Sequence, residues 1–338
     1  MTITTTSSAV PQNKKQRKPW IDNLRGLAMI LVLLAHTEIY YRGEIVNYNI
    51  YGVDCLIIFF FLSGYLMYRE TEFNLKNKVK SVFRYIVLPY FIFTISLSLP
   101  KSIAYGASLD IKETARDIIM GNGSWFVAAL ALSELIFSTV LYLSKKNTTC
   151  LWATAIIAFP LSIYMSYSPM PLFWQADNAL QALLFITIGY TYHKYEALLD
   201  KYNKPLTIIL LFAILLLLKW LEYIYGAKMI VWRIDINNYP LFLADTIVCA
   251  IMMTMIFKRL PDFPLLNWTG KHTLVYYFFC GGVPLLTSKL LMLIGIPYNG
   301  NYLLILAAFA LVYPITSALV WVVYRYLPFT VGKWKSRA

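Results

Sequence analysis

The stretch Trp20–His36, WIDNLRGLAMILVLLAH, decides the fold. Ten residues, all apolar or glycine, separate Arg25 from His36, a pattern typical of a helix that crosses a membrane. At about 100° and 1.5 Å per residue, the two side chains point to one side of the helix, about 16 Å apart along its axis. Ionisable groups are costly inside a bilayer, so this pair indicates a functional site.

The composition of the whole chain extends the same conclusion. Apolar residues make up 59% of the 338 residues, charged residues only 14%, and the mean hydropathy is +0.59. A soluble domain carries roughly a quarter charged residues, so lipid must cover much of this protein. The net charge of +13 comes from short basic clusters between apolar runs, which excludes a nucleic-acid groove. We therefore expect an all-α, polytopic integral membrane protein.

Apolar stretches long enough to span about 30 Å of hydrocarbon recur ten times. We predict a disordered basic cytoplasmic tail over 1–19, a transmembrane domain over 20–325 and a short basic tail over 326–338. The connection 101–123 has room for one short amphipathic helix. The ten predicted spans are 20–40, 50–68, 82–100, 124–143, 150–168, 179–193, 205–223, 240–257, 272–294 and 301–325.

The positions of the basic residues predict the orientation. With the N-terminus inside, 21 Lys and Arg fall on the inner side, six fall on the outer side and three lie within helices. Because cytoplasmic loops carry the excess of basic residues, this ratio favours ten spans with both termini in the cytoplasm.

Simpler interpretations exist for each residue of the first helix. Arg25 alone is compatible with a side chain that extends to the membrane interface, and His36 alone with a histidine packed between helices. Asp22 stands three residues before Arg25 and is placed to pair with it on one face. The alignment of Arg25 with His36 nevertheless favours a site.

The run from Ile21 to His36 resembles the opening helix of the membrane acyltransferase-3 family, which is marked by arginine, ten residues and histidine. A second histidine follows the late motif in many members, but this chain has Phe278, Phe279 and Cys280 there. Further motifs are similar in their order: Gly52-Val53-Asp54, Phe59-Phe60-Phe61-Leu62-Ser63-Gly64-Tyr65, Arg84 to Pro89 and Tyr90, Ser124-Trp125-Phe126, and Asn267 to Tyr276.

The resemblance implies an O-acyltransferase in the plasma membrane. Such an enzyme moves an acetyl group from cytoplasmic acetyl-CoA, a co-substrate rather than a bound cofactor, to a hydroxyl of a cell-surface or lipid-linked carbohydrate. A histidine titrates near neutrality, so His36 is our candidate general base. Arginines bind phosphates through forked hydrogen bonds, and Arg25, Arg69 and Arg84 are our candidates for the donor.

Other residues receive supporting roles. Asp54 or Glu134 is a candidate for orienting His36. Ser63 and Gly64 fit close helix packing better than catalysis, while Asp22, Tyr65 and Trp125 complete the supporting set. The four cysteines show no metal-binding spacing, so we predict neither a disulfide nor a metal site.

Two alternatives remain open from the sequence. A secondary transporter of a small polar solute would share the helices and the buried charges, although matched halves are not visible. A non-catalytic scaffold of an envelope-polymer assembly is the other. Under each interpretation the partners include the lipid bilayer and exclude nucleic acid.

Overall fold

The computed structural model describes residues 17–44, 49–106 and 110–333 of this chain, which is almost entirely helical there. Its two strands, β1 (Met229–Ile230) and β2 (Asp235–Ile236), form a short antiparallel hairpin. A π-helical turn over Phe83–Val87 and four 3-10 turns complete the regular structure. The α-helices are α1 (Pro19–Arg42), α2 (Gly52–Met67), α3 (Leu75–Val82), α4 (Leu88–Tyr105), α5 (Ile111–Met120), α6 (Trp125–Leu143), α7 (Thr148–Ser166), α8 (Ala176–Lys194), α9 (Glu196–Leu199), α10 (Pro205–Ile224), α11 (Tyr239–Arg259), α12 (Pro264–Lys271), α13 (Thr273–Phe279), α14 (Gly282–Leu293) and α15 (Tyr302–Tyr326).

The helices make this an all-α polytopic membrane protein. Seven helical stretches are long and apolar enough to cross a membrane, and the bent pair α13–α14 adds an eighth candidate. Helix α2 is apolar but has 16 residues. A helix lies at each of the ten expected positions, and α5 occupies the expected place in the connection 101–123. The number of crossings and the orientation remain predictions, and residues 1–16 and 334–338 of the expected tails lie outside the described residues.

Helix α1 has well-defined ends and a central place in the bundle. Pro19 stands in its first turn, where a missing N–H costs nothing. Gly43 ends the helix in the left-handed region (φ +79°) and donates its N–H to the carbonyl of Ile39. Along the helix, Leu24 and Leu33 are completely buried. The helix packs against α2, α11, α12, α14 and α15.

Two glycines bring α1 and α12 into backbone contact. A Cβ atom at Gly26 would lie 2.0 Å from the carbonyl oxygen of Leu266, and one at Gly270 would lie 1.8 Å from that of Asp22. Each helix therefore uses its glycine to admit the backbone of the other, as small residues do at membrane helix interfaces.

Helices α2 and α8 repeat this arrangement. A Cβ atom at Gly64 would lie 1.9 Å from the carbonyl oxygen of Ile186, and one at Gly189 would lie 1.9 Å from that of Phe61. This contact agrees with the packing interpretation of Gly64. Since these distances are far below van der Waals contact, neither helix tolerates a side chain at the crossing.

Helix α10 lies at the periphery of the bundle. Of its 20 residues only Leu215 and Glu222 are buried, and the rest of its surface is largely apolar and exposed. Such a surface suits contact with lipid rather than with water.

We expect Gly64→Ala to destabilise the fold, because its methyl group would overlap the backbone of α8. Overpacking of this kind costs about 1–3 kcal/mol or more. The unfolding temperature of the purified protein measures the effect. The control is Gly282→Ala, because a Cβ atom at Gly282 has no neighbour within 4 Å. Equal unfolding temperatures for the two variants would contradict the close crossing.

Candidate functional site

A cavity of about 250 Å³ lies between α1, α2, α6, α13 and the π-helical turn. Most of its wall is apolar, with Phe59, Leu62 and Phe126 among its residues. The polar residues in the wall are Arg25, Ser63, Glu134 and Thr273, together with the tyrosines Tyr85 and Tyr277. An apolar cavity with a few polar groups is the usual form of a small-molecule site.

Arg25 lines one side of this cavity and is partly buried. Its Nη2 atom donates a hydrogen bond to the Thr273 hydroxyl at 3.1 Å. Thr273 belongs to the late sequence motif, so the fold brings the first and the last of the quoted motifs together. A guanidinium has five N–H donors, and one bond to a neutral hydroxyl leaves it able to bind an anion.

Glu134 lines the cavity from α6 and has two partners. The Ser63 hydroxyl donates to its Oε1 atom, and the Lys78 ammonium donates to its Oε2 atom at 2.7 Å. Lys78 belongs to the short basic helix α3, so this ion pair ties α3 to the cavity wall. Sequence reasoning placed Ser63 and Glu134 in the candidate set but missed Lys78, which looked like one more basic residue of a loop.

His36 lies farther along α1 than the cavity. The residues of α1 that line the cavity are Arg25 and Met29, and His36 follows Met29 by seven residues, which is about 10 Å of helix. The His36 ring is partly buried and stacks on Tyr40, with ring centroids 6.3 Å apart. Among residues 17–44, 49–106 and 110–333, no hydrogen bond to the His36 ring is formed.

Three acidic residues have partners different from those expected. Asp22 accepts two hydrogen bonds from Arg17, at 2.5 and 2.8 Å, and the expected pair with Arg25 is not formed. Asp54 accepts a hydrogen bond from Lys219 at 2.7 Å. Within the described ranges, neither Asp54 nor Glu134 has a hydrogen bond or ion pair to His36, because lysines on neighbouring helices bind both carboxylates.

The other two arginines proposed to bind the acyl donor do not line the cavity. Arg69 is exposed and lies after the end of α2. Arg84 is partly buried, and its Nε atom donates to the carbonyl of Gly332 at 2.7 Å, which holds the C-terminal 3-10 turn. Trp125 begins α6 and packs edge-on against Phe126, a residue of the cavity wall. Of the three arginines, Arg25 alone lines the cavity.

Tyr65 belongs to a polar cluster at the end of α2. Its hydroxyl accepts from Lys18 and donates to Glu196, both at 2.6 Å. Lys258 also pairs with Glu196, at 2.7 Å. Burial raises the pKa of Glu196, but hydrogen bonds from Lys18, Lys258 and Tyr65 outweigh it and bring the pKa to about 2. This carboxylate therefore fastens the start of α1 to the ends of α2 and α11.

The sequence profile of the acyltransferase-3 family, described as an acyltransferase domain, matches residues 18–325. The match covers most of the chain, so the protein belongs to this family. With its apolar helices, it is a multi-pass membrane acyltransferase, and its partners include a lipid bilayer, an acyl donor and an acceptor. No curated protein and no solved structure shows significant similarity to the chain.

We expect Glu196→Gln to lower the unfolding temperature at neutral pH and to have less effect in acid. A carboxylate whose pKa falls from 4.5 to about 2 on folding contributes stability above pH 4.5. That contribution is lost as the pH falls through this interval. Unfolding temperatures of the two proteins, measured from pH 7 to pH 3, should therefore converge. The exposed Glu70 gives the control variant Glu70→Gln, and a constant difference between wild type and Glu196→Gln would contradict the role of this charge.

Proposed function

We propose that this protein transfers an acetyl group from cytoplasmic acetyl-CoA to a hydroxyl of a cell-surface or lipid-linked carbohydrate in the plasma membrane. The observation that supports this most directly is the cavity that Arg25 lines, on the face of α1 that also carries His36. Membership of an acyltransferase family favours this proposal over a transporter or a scaffold.

The donor enters the cavity with its anionic end near Arg25. Coenzyme A carries phosphates, and a guanidinium binds them through charge-assisted hydrogen bonds. Leu62, Leu130 and Phe126 provide an apolar wall for the less polar thioester arm. Met29 and Val32 lie between Arg25 and His36 on the same helical face, so the thioester arm extends along this face toward the histidine.

His36 acts as the general base in this proposal. The neutral imidazole takes the proton from the acceptor hydroxyl, while the oxygen of that hydroxyl attacks the thioester carbonyl carbon. The carbon–sulfur bond then breaks, and the imidazolium returns the proton to the thiolate that leaves. No covalent enzyme intermediate is required, and one histidine serves both proton transfers. The Ser63 hydroxyl donates a hydrogen bond to Glu134, and Ser63 takes no part in these steps.

We expect different kinetic effects from the two residues of α1. Arg25→Ala should raise the KM for acetyl-CoA about tenfold to a hundredfold, the usual effect of losing a hydrogen-bonded charge. His36→Ala should lower kcat about 10²- to 10⁴-fold, the range of general-base catalysis. Both the KM for acetyl-CoA and kcat are measured from the release of free coenzyme A by the purified protein in the presence of a carbohydrate acceptor. The exposed Arg325 provides the control variant Arg325→Ala, and normal rates in Arg25→Ala and His36→Ala would refute the mechanism.

We expect Leu130→Trp to abolish donor binding, because Leu130 lines the cavity and a larger side chain fills it. Leu143→Trp is the matched control on the same helix, since Leu143 is 72% exposed and does not line the cavity. Binding of acetyl-CoA to the purified protein, followed by calorimetry, distinguishes the two. Equal affinities in both variants would place the donor elsewhere.

A further inference from the structure

A buried ionic cluster joins α10 to α2 and α11, and none of its residues lines the cavity beside Arg25. Its centre is Lys219 of α10, whose ammonium donates to Asp54 at 2.7 Å and to Asp245 at 2.6 Å. Glu222, one turn farther along α10, lies 3.6 Å from the same nitrogen. The proposed acyl transfer uses none of these contacts.

The charges in this cluster do not balance when every group is ionised. Asp54 and Asp245 both bond one ammonium, so two ionised aspartates would leave an excess of one negative charge among these three groups. The Asp245 and Glu222 side chains are fully buried, and those of Asp54 and Lys219 are 6% and 10% exposed. Charge that is buried without compensation is strongly unfavourable, and carboxyl groups in such places take up a proton.

The contacts between the acids indicate where a proton belongs. The carboxyl groups of Asp54 and Asp245 lie close together, because both accept a hydrogen bond from the same Lys219 ammonium, at 2.7 and 2.6 Å. Oδ1 of Asp54 and Oδ1 of Asp245 are both buried, and neither has a hydrogen-bond donor within the described ranges. Two ionised carboxylates offer only acceptors, whereas one proton converts one of them into a donor for the other.

Two cysteines stand beside the aspartates along the described helices. Cys55 follows Asp54 on α2 and Cys249 lies four residues after Asp245 on α11, and a thiol carries no positive charge. In the part of the chain that the structure describes, Lys219 is the cation that pairs with Asp54 and Asp245. No group of three or more His, Cys, Asp or Glu side chains there is arranged to hold a metal ion.

We propose that this cluster is a proton-binding site in which Asp54 and Asp245 share one proton beside Lys219. The shared proton reduces the excess charge and completes the hydrogen bonds of the pair, as in other sites where two carboxylates hold one proton. Lys219 connects α10, whose remaining surface is largely exposed, to α2, the helix that carries Ser63 in the cavity wall.

Infrared spectra of the full-length protein in lipid nanodiscs, compared between the wild type and each variant, test the proposal independently of acyl transfer. We expect a carbonyl band of a protonated carboxylic acid at neutral pH, reduced in Asp54→Asn and in Asp245→Asn. Glu222→Gln should leave that band unchanged, as should the control Asp235→Asn, because the Asp235 side chain is 52% exposed. A spectrum that neither aspartate variant changes, or that Glu222→Gln alone changes, would overturn the assignment.

Unfolding temperatures give a second, independent readout. Asparagine resembles a protonated aspartate, so each single variant should keep an unfolding temperature close to that of the wild type. Lys219→Gln should lower it markedly, because it leaves the acids without a cation. Failure of both single asparagine variants to fold would contradict a shared proton. So would a wild-type spectrum without the acid band and an unfolding temperature that rises with added sodium, which would indicate a metal cation instead.

Discussion

An ionised side chain inside a bundle of apolar helices needs a partner, because neither lipid nor the packed interior replaces the water it loses. Three of the ionisable groups within the described helices have such a partner on another helix. Arg25 of α1 bonds Thr273 of α13, Glu134 of α6 pairs with Lys78 of α3, and Asp54 of α2 pairs with Lys219 of α10. These polar contacts fix which helices are neighbours, and so they determine where a cavity with polar walls can form.

On two of the helices that line the cavity, α1 and α2, a close-packing glycine stands next to a polar residue of the cavity wall. Gly26 follows Arg25, and Gly64 follows Ser63. Each glycine presses its helix against another backbone, on α12 or on α8. Since successive residues differ by about 100° around a helix, the residue before each glycine turns away from that contact and toward the cavity. The glycines therefore set the direction of the polar side chains as well as the distance between the helices.

The three candidate arginines differ in their surroundings. Arg84 holds the C-terminal turn and Arg69 faces solvent, whereas Arg25 stands in an apolar wall with one neutral hydrogen-bond partner. A guanidinium in that position retains donors for an anionic ligand. The His36 ring stacks on Tyr40 and has no hydrogen-bond partner within the described ranges.

The sequence by itself determined the helices, their approximate ends and the alignment of Arg25 with His36. It could do so because every backbone group in an apolar segment must bond within that segment, and because spacing along one helix fixes which side chains share a face. Only the tertiary structure decided the partners of the acids. Asp22 bonds Arg17 rather than Arg25, and Asp54 meets a lysine 165 residues away. Such pairs depend on which helices lie side by side and on how each helix is rotated about its axis. The spacing of residues along the chain carries no information on either.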